Sequence, residues 1–174
     1  MSIKTIFLDR DGVINKDVNY LHQIKDFEFI DGVFDSCKLL NQLGYKIIII
    51  TNQSGIARGY FSEVDYQKIT SWMMSEFKKN NVEIWDIFYC PHSPNSKCMC
   101  RKPMPGMFIE AINKHDIDIS ESWMIGDSER DIIAANLAGI KKTILVRSGH
   151  AIDEGNSNAS HFLNSIKEIN KLIF

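Results

Sequence analysis

The sequence predicts an α/β fold, a doubly wound and mostly parallel sheet, and three observations carry that prediction. Short, nearly continuous apolar runs alternate with amphipathic stretches along the chain, which is the order of a sheet built from βαβ units. Those runs lack the in-out alternation of a half-exposed strand, so they suit strands covered on both faces. Each of the first four runs gives way to polar or small residues, and in open parallel sheets ligands gather at the carboxyl ends of strands.

The first strand is expected over Lys4 to Leu8, and a helix over Val33 to Leu43 with Asp31 as its cap and Gly44 at its end. Tyr45 to Ile50 reads as the second strand, and Glu63 to Lys79 as a helix opened by a capping box between Ser62 and Asp65. The third strand, Ile84 to Tyr89, leads to a helix over Met107 to His115. The fourth, Trp123 to Ile125, leads to a helix over Asp131 to Ala138, closed by Gly139. Thr143 to Val146 is the fifth strand, and Ser165 to Ile173 forms a last helix.

With 174 residues, 44% of them hydrophobic, the chain can bury one sizeable core, and one domain over 1–174 is expected. Twenty Lys plus Arg against 22 Asp plus Glu leave a net charge of −2, so no global basic field recommends nucleic acid or an anionic membrane as partner. Apolar runs such as Ile47 to Ile50 fall far short of the roughly 20 residues of a membrane span. The opening apolar run stops at Asp9, unlike a secretion signal. A soluble cytoplasmic protein is expected, with a monomer as the default.

The strand tips concentrate polar groups: Asp9-Arg10-Asp11-Gly12, Thr51-Asn52-Gln53-Ser54-Gly55, Cys90-Pro91-His92 and Gly126-Asp127-Ser128-Glu129-Arg130-Asp131. Residues two apart in an extended segment point the same way, so Asp9 and Asp11 can address one reacting centre. An aspartate titrating near its ordinary ~3.9 is ionised at neutral pH, which suits Asp9 to attack phosphorus and form an aspartyl phosphate. Asp11 would then do the proton work, with a carboxyl raised by burial or by a neighbouring negative charge. A carboxylate repels a phosphate dianion, so a divalent cation is implied, and the hard oxygens of Asp127 and Asp131 suit Mg2+. Donors for the phosphate would be the Thr51 hydroxyl, the amides around Asn52 and Gln53, and Lys102. Lys102 taken alone reads more readily as a solvated surface lysine, and Thr51 can be read as a satisfied strand residue.

Asp9-Arg10-Asp11-Gly12-Val13-Ile14-Asn15, Thr51-Asn52, Lys102, and Gly126-Asp127-Ser128 with Asp131 resemble the four ordered motifs of the haloacid dehalogenase (HAD) superfamily of phosphohydrolases. Within it, the runs Thr51 to Gly59 and Cys100 to Met107 resemble those of the heptose-bisphosphate phosphatases, with histidinol-phosphate phosphatases as the nearest alternative. The resemblance implies a HAD-like sheet without a separate cap domain, and removal of the C7 phosphate from a heptose 1,7-bisphosphate. It further implies Asp9 as nucleophile and Asp11 as acid and base. Mg2+ would be held by the Asp9 side chain, the Asp11 main-chain carbonyl and Asp127, with Asp131 in an outer sphere, while Thr51 and Lys102 hold the transferring phosphoryl group. An alternative of another class is a receiver-like phosphoacceptor module, which has no use for an acid at position 11.

Cys90-x-His92 followed by Cys98-x-Cys100 offers four soft or borderline ligands within eleven positions, the set a closed structural zinc site takes. Each also has an ordinary reading: Cys90 as a buried hydrophobe, His92 as a surface imidazole, or a disulfide among the thiols. A zinc here would stiffen the segment that delivers Arg101 and Lys102, and the resembled family carries one. Cys37 reads as core. Candidate substrate contacts are Asp17, Val18, Asn19 and Tyr20 after the first strand, then Thr51, Asn52, Gln53, Ser54, Arg58, Arg101, Lys102 and Ser128. Arg101, with its planar fork, suits a second phosphate.

Overall fold

The computed structural model describes residues 3–173. Its six strands are β1 (Thr5–Leu8), β2 (Lys46–Asn52), β3 (Asp86–Cys90), β4 (Trp123–Gly126), β5 (Lys142–Val146) and β6 (His161–Leu163). All neighbouring pairs are parallel, in the order β3-β2-β1-β4-β5-β6. The chain builds outward from β1 to β3, then returns to the other side of β1 and builds outward again. The reversal opens a crevice between the tips of β1 and β4, the switch point at which such sheets bind ligands.

Helices α1 (Val33–Gln42) and α2 (Glu63–Lys79) cover one face, and α3 (Gly106–His115) and α4 (Glu129–Leu137) the other. The strand pleat explains the split. Ile6, Leu8, Ile47 and Ile49 join Val33, Leu40, Ile69 and Phe77 in one core cluster. Phe7, Ile48 and Ile50 join Met107, Phe108, Ala134 and Ala135 in the other. Cys37 is core, as expected, and burial pushes its thiol up to about 12.

The Ser62–Asp65 capping box forms, and Gly44 and Gly139 follow α1 and α4 at positive φ. Three local expectations change. Asp31 does not cap α1: Gly32 takes that position at φ 79°, and Asp31 pairs with Lys167 instead. The last helix is a 3₁₀ helix over Ile166–Lys171. Its buried side chains, Ile166 and Ile169, lie three apart, which the three-residue turn places one above the other against the sheet. The sixth strand, only His161-Phe162-Leu163, is too short to show a period of its own.

Between β1 and α1 the chain makes an out-and-back excursion, closed at its base by bridges from Asn15 to Asp11 and to Phe29. Its tip carries Asp17 to Tyr20. Truncating Ile169 to Ala should cost about 2–5 kcal/mol in urea unfolding, as for a buried aliphatic side chain. Leu137→Ala, at a position 62% exposed, should stay within about 0.5 kcal/mol of wild type.

Candidate active site

The tips of β1, β2 and β4, with the excursion and the segment after β3, enclose a cavity of about 300 Å3. Asp9, Asp11, Asp127 and Asp131 line it together with Lys102. Sheet pairing sets this arrangement: the Asp9 amide continues the β1–β4 ladder by donating to the Ile125 carbonyl at 3.0 Å, two residues before Asp127.

Lys102 is the buried cation of this cluster, 2% exposed, which removes the reading of a solvated lysine. Its Nζ lies 2.9 Å from Asp9 Oδ1, 2.6 Å from Asp131 Oδ1 and 2.7 Å from the Ile50 carbonyl. Its backbone is clamped at two points by the Asn52 side chain, which accepts from Lys102 N and donates to Lys102 O, both at 3.1 Å. Burial alone would lower the ammonium's proton affinity, but Asp131 and Asp9 raise it above the ordinary lysine value.

The two carboxyls of the first strand tip behave opposite to expectation. Burial first, and then the charge of Asp131, raise Asp9 well above the usual carboxylate range, against the pull of Lys102. Burial would raise Asp11 as well. There it is outweighed by the Arg10 guanidinium and by hydrogen bonds from Asn15, Arg10 and Gln53, which together leave Asp11 below its ordinary value. Arg10 Nη2 grips Asp11 Oδ1 and Oδ2 at 2.8 and 2.9 Å, Asn15 Nδ2 donates to Oδ1 at 2.9 Å, and Gln53 Nε2 donates to Oδ2 at 3.1 Å. Asp11 therefore rests as a carboxylate, ready to accept a proton. The expectation of a raised Asp11 fails because sequence spacing does not reveal that Arg10 folds back onto its neighbour.

Asp127 is buried and takes two hydrogen bonds on one oxygen. The His150 backbone N–H reaches Oδ2 at 2.9 Å and His150 Nδ1 reaches it at 2.6 Å. This contact is the main cause of a raised His150 imidazole. Asp127 Oδ1 is buried without a partner. An orphaned carboxylate oxygen in a buried acidic cluster fits a divalent cation, because an unpaired buried anion is otherwise costly. One carboxylate oxygen from each of Asp9, Asp127 and Asp131 falls within a 4.8 Å cluster. Asp131 is already committed, Oδ1 to Lys102 and Oδ2 to the Ser128 amide at 3.1 Å, as the third residue of a capping box on α4. Asp9 and Asp127 therefore have the freer oxygens. The amides of Val13, Ile14 and Asn15 all converge on the Arg10 carbonyl, and none on that of Asp11.

Crowding around Asp127 requires glycine. A Cβ at Gly12 would lie 2.2 Å from Asp127 Oδ2, and one at Gly149 only 1.9 Å away.

Of the expected substrate contacts, Asp17, Asn19, Tyr20, Asn52, Gln53, Ser54, Arg58, Arg101 and Ser128 line the cavity with Lys102. Val18 does not: it is 48% exposed and lies outside the lining. Thr51 is buried beneath the cavity wall, with its Oγ1 accepting from Gln53 Nε2 at 2.9 Å, so its hydroxyl supports Gln53 in the resting site. The Asn52 side chain is spent on Lys102. Asn19 and Tyr20 both adopt positive φ, and the Tyr20 ring packs edge-on against Tyr60 with Arg58 beside it. Sequence reasoning gives no role to the side chains of Arg10, Asn15, Arg130 and His150. His150 follows β5, another strand tip, but Ser148-Gly149-His150 reads as an ordinary turn.

The atoms of Cys90, His92, Cys98 and Cys100 also form a cluster within 4.8 Å. His92 Nδ1 lies 3.4 Å from Cys90 Sγ and 3.2 Å from Cys100 Sγ, and Cys90 Sγ is 3.7 Å from Cys98 Sγ. Such separations suit four ligands at ~2.0–2.3 Å from one tetrahedral zinc. The Cys90 and Cys100 sulfurs are 3.0 Å apart, beyond the ~2.05 Å of a disulfide bond, and none of the four cysteines is bridged in the structure. Burial raises the Cys90 thiol. Burial acts the same way on Cys98, but the Arg101 backbone N–H and neighbouring donors draw that thiol down to about 6. The N–H contact ties this cluster directly to the segment bearing Arg101 and Lys102.

Replacing Lys102 by Met should cost about 3–5 kcal/mol in urea unfolding at pH 7 in chelator, because Asp9 and Asp131 lose their buried counter-charge. Both carboxyls already bind protons more tightly folded than unfolded, and losing Lys102 raises them further. The deficit should therefore shrink as pH falls through the folded values towards the ordinary carboxylate range. A deficit that grows on acidification would contradict the arrangement.

Residues 99–169 match the HAD-hydrolase-like family. Over 98% of its length the chain is 49% identical to the D-glycero-alpha-D-manno-heptose-1,7-bisphosphate 7-phosphatase of Photorhabdus laumondii, covering 97% of that protein. It is 47% identical to the D-glycero-beta-D-manno-heptose-1,7-bisphosphate 7-phosphatase of Haemophilus ducreyi, covering 97% of each. Among solved structures it is similar to the D,D-heptose 1,7-bisphosphate phosphatase of B. bronchiseptica complexed with magnesium and phosphate, with a TM-score of 0.85, 30% identity and 97% of each chain covered. With an α/β sheet of matching topology and acidic residues at its switch point, the chain belongs to the HAD superfamily of hydrolases, in the branch that holds the heptose-bisphosphate phosphatases.

Proposed function

We propose that this protein is a Mg2+-dependent phosphomonoester hydrolase that removes the C7 phosphate of a heptose 1,7-bisphosphate through an aspartyl phosphate on Asp9. The observation that carries this reading is the Asp9 carboxyl itself, which burial raises and which a bound divalent cation would return to the ionised form. Its Oδ1 is fixed by Lys102 Nζ at 2.9 Å and by the Arg10 N–H at 2.8 Å, while Oδ2 is unclaimed among the described residues. A carboxylate locked in rotation with one free oxygen is a pre-positioned nucleophile.

In the first step an Asp9 oxygen attacks phosphorus and the bond from phosphorus to the sugar oxygen breaks. The leaving alkoxide takes a proton from Asp11, which gains that proton from solvent as substrate binds and returns one to solvent at the end of the cycle. Substrate charge beside Asp11 opposes the Arg10 clamp and raises the carboxyl's proton affinity in the loaded site. In the second step Asp11 takes a proton from water, the water oxygen attacks phosphorus, and Asp9 leaves as carboxylate with release of inorganic phosphate. Lys102, and Thr51 through Gln53, hold the phosphoryl-binding wall. Asp9 and Asp127 would hold Mg2+ with the Asp11 carbonyl, and Asp131 would support it through Lys102. When bound, the cation neutralises phosphoryl oxygen charge. A receiver-like module that stores phosphate would not need this provision for a base at position 11.

The substrate assignment draws on the relatives named above and on the rim of the cavity. Arg58, Arg101 and Arg130 line it together. Arg101 has a buried Nη1 without a partner, and its guanidinium is lowered by burial and then by the charges of Arg130 and Arg58. A concentration of cations with a spare donor suits a second phosphate. It repels the ammonium of histidinol phosphate. Zinc held by Cys90, His92, Cys98 and Cys100 is structural in this reading, with all four positions filled by protein. One chain builds the whole cavity, so the protein would act as a monomer. Unpaired thiols suit the reducing cytoplasm. Among the described residues no helix is long and apolar enough to cross a membrane.

Asp9→Asn should lower phosphate release from heptose 1,7-bisphosphate by about 10⁴-fold or more, with both anomers assayed. Retained turnover would remove the nucleophile. Wild type should also prefer the bisphosphate clearly over histidinol phosphate, and the reverse order in kcat/KM would overturn the substrate. Under native conditions the zinc-loaded protein should resist alkylation. After chelation Cys90, Cys98 and Cys100 should react while Cys37 stays protected, read by mass spectrometry; alkylation of those three without chelation would refute the zinc site.

A further inference from the structure

We infer that His150 is a positioning residue for the Asp127 carboxylate, holding Oδ2 so that Oδ1 is presented to the divalent cation. The inference rests on the metal-dependent reading above and adds a residue which that reading does not use.

Among the described residues, His150 is the sole side chain that donates to Asp127. Two donors from this one residue meet on Oδ2, the backbone N–H at 2.9 Å and ring Nδ1 at 2.6 Å. Because a carboxylate only accepts, Nδ1 must carry the proton. Oδ1, on the same carbon, is buried and unpartnered. A carboxylate held through one oxygen cannot rotate to offer that oxygen to the ion, so its free oxygen has a fixed direction.

The strap that delivers His150 is built for close approach. Ser148 Oγ donates to the Gly12 carbonyl at 2.7 Å, tying the strap to the loop after β1. Gly149 passes where any Cβ would lie 1.9 Å from Asp127 Oδ2. Lys102 is spent on Asp9 and Asp131 and Arg10 on Asp11, which leaves Asp127 to His150. The far side of the ring also faces the excursion, with Nε2 3.8 Å from Asp17 Oδ2. Partners that orient a metal's carboxylate ligands typically contribute 10–100-fold to metal affinity, and here the backbone N–H survives mutation, which favours the lower end.

The test measures Mg2+ binding without substrate, by calorimetry and by the Mg2+-dependent rise in Tm, on zinc-loaded wild type, His150→Ala and His150→Asn. Alanine should weaken Mg2+ binding roughly tenfold, with zinc content and the Tm without added Mg2+ unchanged. Asparagine, whose amide can donate to the same oxygen, should recover most of the loss, and kcat of the alanine variant should return at saturating Mg2+. Alanine binding Mg2+ as well as or better than wild type would overturn the inference and leave the function standing. Asparagine binding as weakly as alanine would overturn it too, since a donor at that place would then have no effect. Wild type without any Mg2+ response would overturn this inference and the metal-dependent function together.

Discussion

The site depends on a buried ammonium. Lys102 Nζ stands between Asp9 and Asp131 with the Ile50 carbonyl as its third acceptor, at the point where the tips of adjacent parallel strands bring carboxylates together. Two unit charges about 4 Å apart repel by roughly 4 kcal/mol at the effective dielectric near a protein surface. Without a counter-charge, Asp9 and Asp131 would take up protons or push the strand tips apart. The Asn52 clamp on the Lys102 backbone, the Cys98 contact to the Arg101 N–H and the start of α3 all serve to bring one amino group to that place.

The same logic extends to the other carboxylates, each of which has its own partner. Arg10 holds Asp11 in a bidentate grip, and His150 holds one oxygen of Asp127. What stays open is limited: the second oxygen of Asp9 and Oδ1 of Asp127. An acidic pit would repel a phosphate ester. This one is largely neutralised from within, and the remaining openings lie where a divalent cation would complete the balance. The inversion of Asp9 and Asp11 follows from the same pairing, because Asp11 has a guanidinium to itself whereas Asp9 shares one ammonium with Asp131.

Much of this was legible in the sequence, for a specific reason. Buried parallel strands such as Ile47 to Ile50 read as apolar runs, and the residues that follow them must lie at one edge of the sheet, so Asp9, Asp127 and the Cys-His set could be placed without coordinates. Strand periodicity does not report which way a side chain turns after the strand ends. Arg10 could have pointed to solvent, Thr51 could have faced the cavity, and Val18 could have faced inward. Those choices are made by contacts between segments far apart in the chain. The 3₁₀ helix over Ile166–Lys171 and the three-residue β6 were hidden for a different reason: each is too short for its period to stand out from noise.

The rim carries the opposite charge from the pit. Arg58, Arg101 and Arg130 line the cavity above its buried carboxylates and outnumber Asp17, the exposed acid of the lining, so an entering bisphosphate would meet net attraction. In the proposed reaction one phosphate would stay with the arginines while the other reaches Asp9, so that the spacing between rim and floor would fix the end of the molecule that reacts. Binding energy from the group that stays behind then orients the group that leaves, the use to which remote contacts are best put in catalysis. A monophosphate of similar size would lack that anchor and would have to find its orientation in the floor alone.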